Sequence, residues 1–347
     1  MKRFPRSKQL FFGLSLASSL LALSCKEEKK EVLPTYSAGV LISSTNANGT
    51  ANGVISFYDR ATGTVTEPDL FNKVNGRPLD GNAMAMTSAF EKMYLITSGN
   101  RIEILNSNSL TTAGSIEGLT APQKLVAINS RTAFVSEGVD PKVRGWVSLV
   151  NLSTKQVVDT TTVGKAPGPM AVAGNRLFVA CTGENMINVI NIATNALEGR
   201  FTVGDAPNSM VVDGSGFLWV LSSGNKGTTS GSLRKFVANN LTIAPEIYTF
   251  ANATLQPHSL TLSASRNRLY FIYDGVYVMD VNAKALPAQP LIKRRFETLG
   301  QDPTDGLLYF SKAPQTGSEG WVIRYRNTGA AVDSFQVQGT PNWFSFR

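Results

Sequence analysis

The chain contains one histidine, His258, and two cysteines, Cys25 and Cys181, in 347 residues. A lone imidazole excludes a His-rich metal cluster, and there is no Cys-x-x-Cys pair, His-Glu-x-x-His helix or Asp-rich calcium loop. A Gly-x-Ser-x-Gly elbow and a phosphate-cradling glycine loop are also missing. Sustained helical periodicity is lacking, and the one long apolar run, Leu10 to Leu23, is too short to span a bilayer. Excess charge is scarce as well. Four of the 33 basic residues, Lys2, Arg3, Arg6 and Lys8, lie in the first 24 positions, which hold no acid. The remaining 323 positions carry 29 basic and 25 acidic side chains, a net +4 with no basic cluster interleaved with aromatics. That excludes a nucleic-acid footprint.

The N-terminal pattern has its own reading. A basic stretch, an apolar core and the small residue Ser24 directly before Cys25 form a lipoprotein signal over residues 1–24, with Ala22 a small departure from the usual leucine. Cys25 is then the lipidated first residue of the mature chain, and residues 25–34 are a charged tether beginning Lys26-Glu27-Glu28-Lys29-Lys30-Glu31. Three acyl chains exceed the two signals that stable anchoring requires. With Cys25 acylated, Cys181 has no disulfide partner. Its place at the end of the apolar run Leu177-Phe178-Val179-Ala180 predicts a buried, inert thiol.

A pattern of about 45 residues recurs seven times after the tether. Its clearest copy, INVINIATNALEGRFTVGDAPNSMVVDGSGFLWV from Ile187 to Val220, reads strand, Asx turn, strand, VG-x-x-P loop, strand, hairpin, strand. Corresponding turn positions are Asp59, Asn106, Asn151, Asn191, Val237, Asp280 and Arg326, spaced by 47, 45, 40, 46, 43 and 46 residues. Hairpins at Gly174-Asn175, Asp213-Gly214, Arg266-Asn267 and Asp305-Gly306 use residues that tolerate positive φ. A four-stranded unit of this length is one blade of a β-propeller. The predicted fold is all-β, a seven-bladed β-propeller with four-stranded blades over residues 35–347. The last strand, Trp343 to Phe346, matches an innermost strand, whereas Gly39 to Ile42 begins a blade at its second strand. Pairing these two termini would close the ring and remove a free sheet edge.

The VG-x-x-P loops at Val163–Pro167 and Val203–Pro207, the INVINIATN segment and the strand turn Asn129–Ser136 resemble the YncE-like (YVTN repeat) seven-bladed propellers over essentially the whole mature chain. GVISFYDRATG (Gly53–Gly63), FNKVNGRPLDGNAMAM (Phe71–Met86) and the Lys-Glu-Glu after Cys25 resemble the surface-lipoprotein branch of Bacteroidetes. Propellers of this look include the cobalamin-capturing BtuG type. The resemblance therefore implies a lipid-anchored protein on the outside of the outer membrane that captures cobalamin or another nutrient and passes it to a TonB-dependent transporter. No cofactor is implied.

Residues entering the innermost strands should ring the central funnel. Aligning the copies gives Asn82, Gln123, Gly168, Asn208, His258, Glu297 and Asn342, six of them with hydrogen-bonding side chains. Trp146 and Trp321, each opening a third strand after a long loop, are candidate walls on the same face, with Tyr273, Trp343 and Phe344. Arg77 and Arg144 are rim candidates. These polar groups either solvate a water-filled channel or form a seat for a polar ligand. Two further readings stand beside ligand capture. One is a protein-interaction or adhesive module, which predicts exposed apolar rim surface. The other is a lactonase-like enzyme, which requires His258, Glu297 and an arginine to converge.

Overall fold

A computed structural model describes residues 35–45 and 52–347. The expected signal, lipidated Cys25 and tether lie outside the described residues. Antiparallel sheets form seven blades. Blade one runs from the axis outward as Thr340–Phe346, Gly39–Thr45, Val54–Asp59 and Thr64–Glu67. Blades two to five each take four consecutive strands, with innermost members Ala83–Ala89, Pro122–Asn129, Pro167–Ala173 and Pro207–Val212. Blade six begins at His258–Leu262 and blade seven at Leu299–Gln301.

Burial follows strand position. Second strands such as RLFVAC (Arg176–Cys181) and FLWVLS (Phe217–Ser222) are apolar almost throughout and buried on both faces, because a neighbouring blade covers each face. The fourth strand LEGRFT (Leu197–Thr202) is exposed at nearly every position, so it can carry charge. The core is accordingly divided among seven clusters, each shared by adjacent blades. One joins blade seven to blade one through Tyr309, Val322, Val40, Tyr58 and Phe344. The ring has no open junction.

The termini close it as the sequence predicts. Val40, Leu41 and Ile42 stand opposite Phe346, Ser345 and Phe344. Arg347 N–H donates to the Gly39 carbonyl at 3.0 Å, and its guanidinium reaches Ser107 Oγ at 3.1 Å. Across the same seam, Arg60 Nε donates to the buried Asp302 carboxylate at 2.7 Å.

Two features depart from the repeat. Blade six has three strands rather than four. After Asp280 the chain passes Pro287 and Pro290, which cannot donate to a ladder, and only Ile292 bridges back to Val276. Between blades one and two the connection holds a short helix, Leu70–Asn75. Asp69 accepts from Asn72 N–H at its start, and Gly76, at φ 67°, ends it in the left-handed region that glycine enters without strain. The helix buries Leu70 and Phe71 at the junction of blades one and two. No helix among the described residues is long and apolar enough to cross a membrane.

Candidate functional site

The entry to each innermost strand decides what faces the axis. In blades three, four and five an alanine at positive φ (Ala121 51°, Ala166 46°, Ala206 52°) precedes a proline. Each alanine carbonyl accepts a hydrogen bond from the residue that follows the second strand: Gly138, Thr182 or Ser223, at 3.0–3.1 Å. The fixed proline φ then starts the strand, and the register shifts directly after it. Such a bulge re-aims the side chain it carries. Gln123, Gly168 and Asn208 occupy these bulges, and Asn342 occupies the equivalent place in blade one.

In blades two and six the bulge falls on another residue. In blade two the bulge holds Met84, not Asn82. Asn82 lies ahead of the strand with its backbone bonded to Ser98, and its buried Oδ1 has no protein partner. In blade six His258 pairs directly with Ile272, and the bulge holds Ser259, at φ 59°, and Leu260. In blade seven Glu297 is exposed, two residues before the first ladder pair.

A central cavity of about 880 Å³ lies among six of the seven innermost strands. Gln123, Gly168, Asn208 and His258 line it, as do Trp343 and Phe344; Asn82, Glu297 and Asn342 do not. Two of the ring amides are already committed. Asn342 Nδ2 donates to Ala83 O at 2.8 Å while its Oδ1 accepts from Ser43 Oγ at 2.6 Å. Asn208 Nδ2 donates to Ser223 Oγ at 2.6 Å and Pro257 O at 2.7 Å, and its Oδ1 accepts from Ser209 Oγ at 2.7 Å. Gln123 turns its NH₂ back onto the Ala121 and Pro122 carbonyls, which leaves its oxygen toward the cavity without a protein donor. His258 Nδ1 lies 3.0 Å from Ser259 Oγ. Burial, then the positive charge of Arg295, holds its pKa below the ordinary 6.5, so the ring is neutral at pH 7.

The aromatic and arginine candidates divide. Trp343 walls the cavity and also packs against the cores on both sides of blade two. Trp146 stands opposite Glu137 in blade three, away from the cavity lining. Trp321, 39 % exposed, belongs to a separate depression on blade seven with Arg294, Lys312 and Glu319. Tyr273 is core between blades five and six, its hydroxyl accepting from Asn252 N–H at 2.9 Å. Arg77 holds the fully buried Glu103 carboxylate with two contacts of 3.0 Å and lies over Phe71. Arg144 Nε donates to Val163 O at 2.9 Å. Both arginines therefore brace the scaffold. Cys181 is fully buried and accepts from Asn188 Nδ2 at 3.1 Å; burial first, then the Glu184 charge, pushes its thiol up to about 12.

Sequence reasoning missed Lys124. It lines the cavity one residue beyond the Gln123 bulge, with Nζ 4.2 Å over the Trp343 ring. Burial pushes the ammonium down to about 8. The available signal was a lysine inside the otherwise apolar and amide strand PQKLVAIN. Among the described residues, Lys124 and His258 are the only ionisable side chains in the cavity wall, and no carboxylate is among them. Among the described residues no cluster of three or more His, Cys, Asp or Glu could hold a metal ion.

Fold and cavity together define a seven-bladed β-propeller with an axial chamber. The chain belongs to the family described as Domain of unknown function (DUF5074), which it matches over residues 38–300, from blade one to the start of blade seven. No curated protein matches it. Among solved structures it is similar to a quinonprotein alcohol dehydrogenase-like protein from Bacteroides thetaiotaomicron, at 16 % identity and a TM-score of 0.70, covering 90 % of this chain and 79 % of that one. Kuenenia stuttgartiensis hydrazine synthase gives 15 % identity and a TM-score of 0.56, over 70 % and 76 % of the two chains. The computationally designed Ika8 protein gives 11 % and 0.55, over 87 % and 89 %. At such identities the likeness is one of fold alone.

Proposed function

We propose that this protein is a surface-anchored ligand-capture lipoprotein whose axial chamber holds a small molecule for a TonB-dependent outer-membrane transporter. The chamber carries the reading. Its volume of about 880 Å³ falls within the roughly 300–1,000 Å³ of small-molecule sites, and its wall mixes apolar side chains with a few polar ones. The lipid anchor on Cys25, the outer-membrane location and the transporter come from the sequence pattern and its resemblance. Cobalamin is the first ligand to try on the same ground. Catalysis is not part of the proposal: Glu297 is outside the chamber that His258 faces.

Thermal unfolding of the compact unit Thr35–Arg347, with and without cyanocobalamin, is the test. A ligand that binds only the folded state adds RT ln(1 + [L]/Kd), about 4 kcal/mol at a thousandfold excess over Kd. A large upward shift in Tm is expected, and no shift at high micromolar ligand discards cobalamin.

One observation favours a protein-interaction module as the second reading. Val139 and Val143, in the loop between the second and third strands of blade three, are 59 % and 58 % exposed, and Val139 also lines the chamber. Replacing Val143, which lies outside the chamber lining, by serine would leave small-molecule capture intact and weaken a protein contact.

A further inference from the structure

We infer that Lys124 and Trp343 form an oxyanion-anchoring subsite, so the captured ligand carries a carboxylate, phosphate or sulfonate beside a flat apolar body. This inference rests on the capture reading and names the chemical class the chamber accepts.

The argument begins with a missing partner. Lys124, half-buried, projects from an innermost strand at the chamber wall, yet no described group accepts a hydrogen bond from its Nζ or pairs with its charge. The innermost strands of blades one, two and four, Thr340–Phe346, Ala83–Ala89 and Pro167–Ala173, carry no ionisable side chain. On the second strand of its own blade, Glu137 is spoken for by Thr120 N–H and Ser148 Oγ. Lys92, in the adjoining second strand of blade two, is bonded to Asn106 Oδ1.

Lys124 is half-buried, and a charge so placed without a counter-ion is held at a cost that proteins ordinarily offset by pairing. The face of Trp343 offsets only part of that cost through a cation–π contact. A methionine of similar length would pack there without penalty. A lysine held at such a place is the signature of a site whose stability has been traded for binding.

The surroundings complete the chemistry. A negative group on Lys124 would meet no carboxylate among the described residues of the chamber wall. Beside it, Trp343, Phe344, Met170 and Met210 supply apolar surface for the rest of the ligand, and Gln123 and Thr182 supply polar atoms. The neutral His258 across the chamber adds a hydrogen-bonding group without competing for the anion.

The test is isothermal titration of Thr35–Arg347 with 1-naphthoate and with its neutral counterpart 1-naphthylmethanol. Wild type should bind the carboxylate at least about tenfold tighter, the usual worth of a charge-assisted hydrogen bond. Lys124→Met should abolish that preference, Lys124→Arg should keep it, and the Met variant should unfold at the same or a higher temperature. Equal binding of both probes by wild type, or a preference that survives Lys124→Met, overturns the anchor while leaving the chamber a ligand seat. A fall in Tm of Lys124→Met with no change in probe preference assigns Lys124 to the scaffold and overturns it equally. If neither probe binds at millimolar concentration, the anchor is overturned, while the capture reading stands or falls on the cyanocobalamin shift.

Discussion

Blades two and three stand side by side, built from the same four-stranded unit, yet they present opposite walls to the axis. Blade two offers AMAMTSA, whose Ala83 and Ala85 are so small that Trp343 from blade one lies across the strand and packs on the cores at both its edges. Blade three offers PQKLVAIN, whose Gln123 and Lys124 reach into open space. One blade is filled by its neighbour; the next is left for a ligand. The difference lies in side-chain volume at two or three strand-entry positions, with backbone and pairing held nearly constant. A ring of equivalent blades thus becomes a chamber with a closed side and an open side.

The comparison can be broken most severely at its source. Removing the last six residues takes away Trp343, most of the innermost strand of blade one and the Asn342 bridge to blade two. Loss of cooperative unfolding is expected, checked by far-UV circular dichroism through a denaturant titration. Trp343→Ala alone should cost about 3 kcal/mol, because a large aromatic leaves a cavity that Ala83 and Ala85 cannot fill. Urea midpoints measure the loss, and Trp343→Phe should recover part of it.

Next comes Arg77→Ala, which strips the fully buried Glu103 of its two contacts of 3.0 Å and leaves it Arg101 Nε at 3.2 Å. Because Arg77 is itself 39 % exposed, a cost of about 2 kcal/mol is expected, below that of a fully buried pair. It should come without any change in chamber binding. Asn208→Ala sharpens the contrast between committed and open amides. It removes three hydrogen bonds, one of which ties blade five to Pro257 of blade six, and should cost about 1–2 kcal/mol. Gln123→Ala, whose donors return only to neighbouring carbonyls, should cost a few tenths and act on binding instead.

The smallest effect concerns His258. Its folded pKa is depressed by burial and by Arg295, so the unfolded chain takes up its proton first as pH falls below about 6.5. Stability should therefore decline between neutral and mildly acid pH, reaching the full penalty below the folded pKa. His258→Gln should flatten that slope in Tm measured from pH 7 to pH 5.

Much of the fold was legible because the repeat is local. Each Asp or Asn turn, each hairpin and each alternation of apolar residues acts within a single blade, and seven such units can close only as a ring. The sealing of that ring by Gly39–Thr45 and Thr340–Phe346 was readable for the same reason, since the two ends are complementary parts of one unit. Blade six shows the limit. Asp280 opens a normal turn, but Pro287 and Pro290 deny the fourth strand its donors. A proline marks the bulge at Gln123, Gly168, Asn208 and Asn342, the four positions that the repeat alignment set on a bulge. Asn82 has no such mark, and the bulge falls two residues later at Met84. At His258 the bulge falls one residue later, yet the side chain still lines the chamber. Glu297 keeps the spacing but is exposed outside it.

The sequence by itself therefore determined the number of blades, their order and the seam, because these follow from turn chemistry and strand periodicity over short distances. Only the tertiary structure decided which polar groups are available. Asn208 and Asn342 look like ligand contacts in the sequence and are consumed by hydrogen bonds within their own blades and to the next one. Arg77 looks like a rim charge and is locked to Glu103. Lys124 looks like one more lysine and is left without a partner. Availability depends on what a side chain meets across a blade junction, and those meetings join residues as far apart as Lys124 and Trp343.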